Sequence, residues 1–207
     1  MRFSCHRALL AASLAFGVSA AAHATTVWDE SVNGDFSNSG LTPTGPADGF
    51  PAFCNGGNVV LGTTGNSGAG VDRDYFTFTI PVGGTLTAIN VLPNTTAAGV
   101  SFIGLQTGPI MTVGPNGENA QNLLGNTHYG TDQIGQNLLT AFMHLPSLPG
   151  GAYTVWIQEL GQGVEYGFDF VVDAPVPLPG AALLLVSGLG GLAALRRRRA
   201  GVAVSAA

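Results

Sequence analysis

Asp72 and Asp74 flank Arg73 at the start of an alternating apolar stretch. Two carboxylates two residues apart on a strand face the same side. Hard oxygen ligands of this kind suit Ca²⁺, which takes about six to eight oxygens, and Asp29, Glu30 and Asp35 are placed to extend the set. The chain has no EF-hand loop and no nonapeptide calcium repeat, so ligand type alone carries the calcium reading. The other reading of Asp72 and Asp74 is a solvated strand start with Arg73 as its local counter-ion.

Nucleophilic catalysis needs a serine beside a histidine base and a carboxylate that orients the base. His128 and His144 are the only histidines beyond residue 23, and Ser67, Ser101 and Ser147 lie outside any Gly-x-Ser-x-Gly elbow. No His-x-x-x-His or His-Glu-x-x-His pair offers a zinc site. Both histidines therefore read as loop or strand-end residues. Nothing places two carboxylates across a cleft as glycoside hydrolysis requires. The expectation is that the protein is not an enzyme, with a small secreted hydrolase as the weakest alternative.

Cys54 follows Phe50, Pro51 and Phe53 and precedes Asn55-Gly56-Gly57, a loop edge that predicts a partly buried thiol. Trp28, Trp156, Tyr129 and Tyr153 are the side chains a sugar-stacking face would recruit. Trp156 is the best placed of them, because it alternates away from Tyr153, Val155 and Ile157. Its competing role is core, where tryptophan is commonly found in β-proteins.

The elements that must hold these residues are short and alternating. In 75–80, Phe76, Phe78 and Ile80 fall on one face and Tyr75, Thr77 and Thr79 on the other. Pro81-Val82-Gly83-Gly84 then reads as a turn, and 85–91 as the next strand. Further strands are predicted over 100–106, 153–159 and 166–172, with 58–61 as an extra one. Period-2 patterning between turn residues marks antiparallel strands with one buried face. The helix candidates, 120–124 and 134–142, are both short. The fold class predicted is all-β: an antiparallel β-sandwich, jelly-roll or immunoglobulin-like, with the Gly-, Asn-, Thr- and Pro-rich stretch 34–70 as loops at one end.

All seven basic residues are Arg, and only Arg73 lies between Asp29 and Asp173, where all twelve acidic residues sit. That stretch carries a net charge of −11 while the whole chain shows −5. Phosphate binding needs clustered Lys and Arg, so a nucleic-acid surface is excluded from the expectation.

Both ends of the chain have the layout of targeting segments. Arg2 and Arg7 precede an uncharged run over 8–22, and Ala22-His23-Ala24 is a small-x-small cleavage site before Thr25. This is the layout of a secretory signal peptide over 1–24. From Leu178 to Leu195 there are 18 uncharged residues, a helical length of about 27 Å, closed by Arg196, Arg197, Arg198 and Arg199. The Arg cluster predicts a cytoplasmic end, and Ala174-Pro175-Val176-Pro177-Leu178-Pro179 ahead of the run predicts an extended hinge. The domain plan is thus 1–24 signal peptide, 25–173 exported domain, 174–199 sorting tail with a transmembrane helix, and 200–207 a short tail.

Hinge, apolar helix and Arg cluster together resemble the PEP-CTERM sorting tail, closest to its VPLP-type variant (VPLPA-CTERM), here Val176-Pro177-Leu178-Pro179-Gly180. The family implies cutting at that motif by exosortase, a membrane-embedded transpeptidase-like protease, with passage from the inner membrane to the cell surface of exopolysaccharide-producing bacteria. Leu178 stands where the family's name-motif has Glu, and eight residues trail the Arg cluster. A second stretch, VDRDYFTFTIPVGGTL with GGAYTVWIQELGQGVEYGFDFVV, is similar to the bacterial pre-peptidase C-terminal type of β-sandwich, and the opening VWDESVNGDFSNSG fits the same secreted setting. That resemblance implies an accessory module without shared catalytic residues. The expectation is a surface-sorted, non-enzymatic protein of the cell envelope or extracellular polysaccharide matrix. A carbohydrate-binding or calcium-dependent adhesion module is the alternative.

Overall fold

The strand-forming alternation is realised over longer stretches than the sequence pattern marks. The computed structural model describes residues 24–66, 68, 70–175 and 187–189. Its strands are β1 (Thr25–Asp29), β2 (Gly56–Asn66), β3 (Val71–Val91), β4 (Ala98–Thr107), β5 (Leu123–Gly130), β6 (Leu148–Gln158) and β7 (Val164–Asp173). Two four-residue helices, α1 (Glu30–Asn33) and α2 (Leu138–Ala141), complete the main elements. Helix candidate 120–124 is a 3₁₀ turn at Ala120–Asn122, and 134–142 contributes only α2.

The strands form one seven-stranded sheet in the order β1-β2-β7-β3-β6-β4-β5. It is mixed: β1 runs parallel to β2, Thr25 opposite Asn58, while the remaining pairs are antiparallel. The predicted purely antiparallel sandwich is corrected on that point. The predicted turn at 81–84 is corrected too, because β3 continues through it. Between Ile80 and Thr85 the strand advances five residues while β6 advances two, from Gly151 to Pro149. The surplus is a bulge, where Pro81 needs no donor, Gly83 takes φ 80° and Val82 projects into solvent. Beyond the bulge β3 also pairs with β7, Leu86 opposite Val172 and Val91 opposite Phe168.

That shared strand bends the sheet over its own core. Phe76 is paired laterally with Val155, and Phe170 with Ile89. Yet the rings of Phe76 and Phe170 meet edge to face with centroids 5.9 Å apart, and Phe78 lies 5.5 Å from Phe170. The two halves of the sheet therefore face one another across an aromatic interior, the burial that drives folding of such a layer pair.

Stretch 34–70 is more than the set of end loops predicted. Phe36, Phe50 and Phe53 are all buried. Phe36 stacks on Phe76 at 4.8 Å and Phe53 on Phe78 at 4.4 Å. Isolated bridges from Ser37 to Tyr75 and from Thr44 to Phe76 occupy β3's edge away from β6, which would otherwise present unpaired N–H and C=O groups.

Among the described residues no helix is long and apolar enough to cross a membrane. Residues 187–189 are helical, and the rest of the predicted span at 178–195 lies outside the described residues. So do Ala22 of the cleavage site, the sorting motif at 176–180 and the Arg cluster at 196–199.

Candidate metal centre

The acidic residues of the opening segment and of β3 converge on one place. Asp29 caps α1, its carboxylate accepting the Ser31 N–H at 2.9 Å and the Ser31 hydroxyl at 2.6 Å. The cap sets Glu30 at the head of the helix, facing β2. There one Glu30 oxygen accepts the Thr63 N–H at 2.6 Å, and the other accepts the Phe36 N–H at 3.0 Å. Asp35 follows on the exposed loop. Glu30, Asp35 and Asp74 each offer an oxygen, and these three atoms lie within 4.8 Å of one another.

Asp74 is the unusual member. It is fully buried, and neither carboxylate oxygen makes a well-formed hydrogen bond, the Tyr166 hydroxyl being the polar group beside it. An isolated charge in that position is costly, so the group must hold a proton or gain an opposite charge. Arg73, the only Lys or Arg among the described residues, does not supply it. Arg73 projects to the other face, where its Nε donates to Gln158 at 2.5 Å. The reading of Arg73 as counter-ion to its neighbours is corrected, and Asp74 is no solvated strand start.

The electrostatics follow from burial and crowding of like charge. Burial pushes the Glu30 carboxyl up to about 7 against the pull of its two backbone donors, with Asp35 adding repulsion. Burial and the charge of Glu30 raise Asp74 well above the usual carboxylate range, against a lesser lowering pull from the Tyr166 hydroxyl. Asp72 is half-buried, accepts Asn38 Nδ2 at 3.0 Å and is raised by burial and by Asp35. It lies on the rim, in a depression of about 300 Å³ lined also by Glu30, Ser31, Asp35 and Thr63.

The Tyr166 hydroxyl completes the floor, buried beside Asp74 without a well-formed hydrogen bond. Burial raises its pKa first, and the charges of Asp74 and Glu30 raise it further. Gly62 makes room for this packing. A Cβ there would collide with the Tyr166 hydroxyl and come within 2.9 Å of Glu30 Cδ.

The predicted pair Asp72 and Asp74 is thus split by the structure. The structure joins Asp74 to Glu30 and Asp35, and leaves Asp72 at the mouth. Parity was the available signal: 74 shares its face with Phe76, Phe78 and Ile80, which puts its carboxylate in the core.

Trp156 lies on the face its alternation predicts, but it is covered. It is 5% exposed and packs with Tyr75, Phe102, Met111 and Val113 in a second small core. Its indole stacks on Tyr75 at 5.9 Å and tilts against Phe102 at 4.7 Å. The segment carrying Met111 and Val113, tied down by Met111 N–H donating to Gly40 O at 2.7 Å, closes over it. As placed, Trp156 is packing rather than an open platform.

His128 and His144 are both exposed. His128 contacts the Val100 carbonyl through Nδ1 at 3.0 Å. Ser101 is buried, and its hydroxyl donates to the Glu159 carboxylate rather than to an imidazole. Cys54 is exposed, which corrects the partly buried thiol predicted for it. Phe53 turns inward to Phe78 while the Asn58 side chain accepts the Cys54 N–H at 2.8 Å, and this leaves the thiol outside.

Comparison with protein families, with curated proteins and with solved structures finds no match to this chain.

Proposed function

We propose that this chain is an exported, surface-sorted, non-enzymatic β-protein of the cell envelope or exopolysaccharide matrix. In this reading an exosortase-type protease processes it near Val176-Pro177-Leu178-Pro179. The observation that carries the proposal is the fit between the ends of the sheet and the two targeting segments. The first strand begins at Thr25, directly after the small-x-small site, and the last ends at Asp173, directly before the proline-rich hinge. Cutting at either point would cost the sheet no hydrogen-bonded residue. The bent sheet is read as a jelly-roll or immunoglobulin-like sandwich serving as a structural or adhesive module.

A calcium-dependent adhesion module is the second reading, favoured by the convergence of Glu30, Asp35 and Asp74. Sugar stacking on Trp156 has no such support, since that ring is covered.

Fractionation of cells producing the native chain and a Pro177→Ala/Pro179→Ala variant tests sorting. The native protein should reach the surface or medium while the variant accumulates in the inner membrane. The same distribution for both would overturn the processing role of the hinge.

A further inference from the structure

The interior of a β-protein is a poor place for a carboxylate with nothing to bind. Asp74 has no exposed surface, and neither of its oxygens makes a well-formed hydrogen bond; the one neighbouring hydroxyl, Tyr166, is neutral and brings no positive charge. Its neighbours add negative charge: Glu30 and Asp35 bring oxygens to within 4.8 Å, and Asp72 stands at the rim. The one local cation, Arg73, is engaged with Gln158 on the opposite face.

We propose that Glu30, Asp35 and Asp74 form a site for a hard divalent cation, with calcium the ion it fits best. The donor set is oxygen only, without the imidazole or thiolate that would favour zinc or copper. Three carboxylates leave positions for water, and the depression on the Asp35 and Asp72 side gives the ion a route from solvent. Calcium tolerates irregular coordination, whereas magnesium demands a near-ideal octahedron that this mixture of a buried and an exposed carboxylate does not preform.

The ion would act as a cross-link. Glu30 belongs to α1, Asp35 to the loop beyond it and Asp74 to β3, so one cation ties the opening segment to the centre of the sheet. That segment continues through Phe36, Ser37 and Thr44, which cover the core and the free edge of β3. Calcium would hold this cover closed, and its loss would open the 30–44 stretch first. The inference stands whether or not the chain is exported or its tail is cut.

Calcium binding to the purified full chain, freed of metal with EDTA, is the test. CaCl₂ should raise the melting temperature by about 5–10 °C once calcium is well above its dissociation constant. Calorimetry should count one calcium per chain, and limited proteolysis within 30–44 should slow. Asp74→Asn should abolish the calcium shift while melting in EDTA at or above the wild-type temperature, because it removes a buried carboxyl that without metal must be either protonated or left charged on folding. Asp35 is exposed, so Asp35→Asn keeps the fold and decides the matter if the Asp74 variant does not fold. It should weaken calcium binding at least about tenfold, roughly what loss of one charged ligand removes. An unchanged melting temperature in calcium would overturn the proposal. So would a calcium response that Asp35→Asn leaves at wild-type strength, the mark of diffuse binding to an acidic surface.

Discussion

Phe36 and Phe76 lie nearly parallel, ring centroids 4.8 Å apart and planes 27° from each other. One ring comes from the loop just after Asp35, the other from β3 two residues past Asp74. This stack therefore fixes the separation between the two sides of the acidic cluster. Phe50 closes the group, 5.2 Å from Phe76 and 6.0 Å from Phe36. Phe36→Ala should lower the stability of the full chain by about 3–5 kcal/mol in urea unfolding, the usual cost of emptying a buried phenylalanine site. A loss below about 1 kcal/mol would mean that the loop is not packed as described.

The four tyrosines offer a test by pH. Burial pushes Tyr75 up to about 12, raises Tyr129 and Tyr166 well above their usual value, and raises Tyr153 as well. Each group is thus harder to ionise folded than unfolded. Stability from this source is complete below about pH 10 and is lost as pH rises through the folded values. Absorbance at 295 nm should stay flat through pH 10, then rise together with loss of near-ultraviolet circular dichroism. A full tyrosinate equivalent near pH 10 with tertiary structure intact would contradict the burial of these rings.

Trp156 separates packing from ligand binding. Both tryptophans are 5% exposed, so native fluorescence should be blue-shifted and resistant to iodide. Trp156→Ala should cost about 3–5 kcal/mol of stability. If the variant instead keeps its unfolding midpoint and loses retention on polysaccharide, Trp156 is a binding platform after all.

Cys54 should react with a thiol reagent in the native state, since its side chain is exposed. Peptide mass mapping after brief iodoacetamide treatment should find the label on Cys54 without denaturant. Labelling that requires denaturant would restore the partly buried thiol.

Much of the fold was legible because alternation is a local property. The strands predicted over 100–106 and 166–172 fall within β4 and β7, and the one over 153–159 lies in β6 except for its last residue, Glu159. What was hidden depends on partners distant in sequence. β1 is five residues whose place is set by parallel pairing with β2, and nothing in Thr25–Asp29 announces that partner. β5 contains Gly125 and Asn126, poor strand formers held extended by pairing with β4. The proline and glycines at 81–84 carry the composition of a turn, but the paired strands on either side make them a bulge. The acidic cluster was half legible. Asp74 was identified by type, while its burial, readable from the parity it shares with Phe76, was missed in favour of a solvated strand start. Its meeting with Glu30 and Asp35 depends on the packing of Phe36 against Phe76, which no local pattern reveals.

Sorting at the two ends is the central claim, and intact mass of the protein recovered from its native host tests it most directly. Inner-membrane, surface and medium fractions should be measured separately. The account predicts a surface or medium species that begins at Thr25 and lacks the segment after the Val176-Pro177-Leu178-Pro179 hinge. A chain that keeps its full C-terminal segment and is found only in the inner membrane would contradict it.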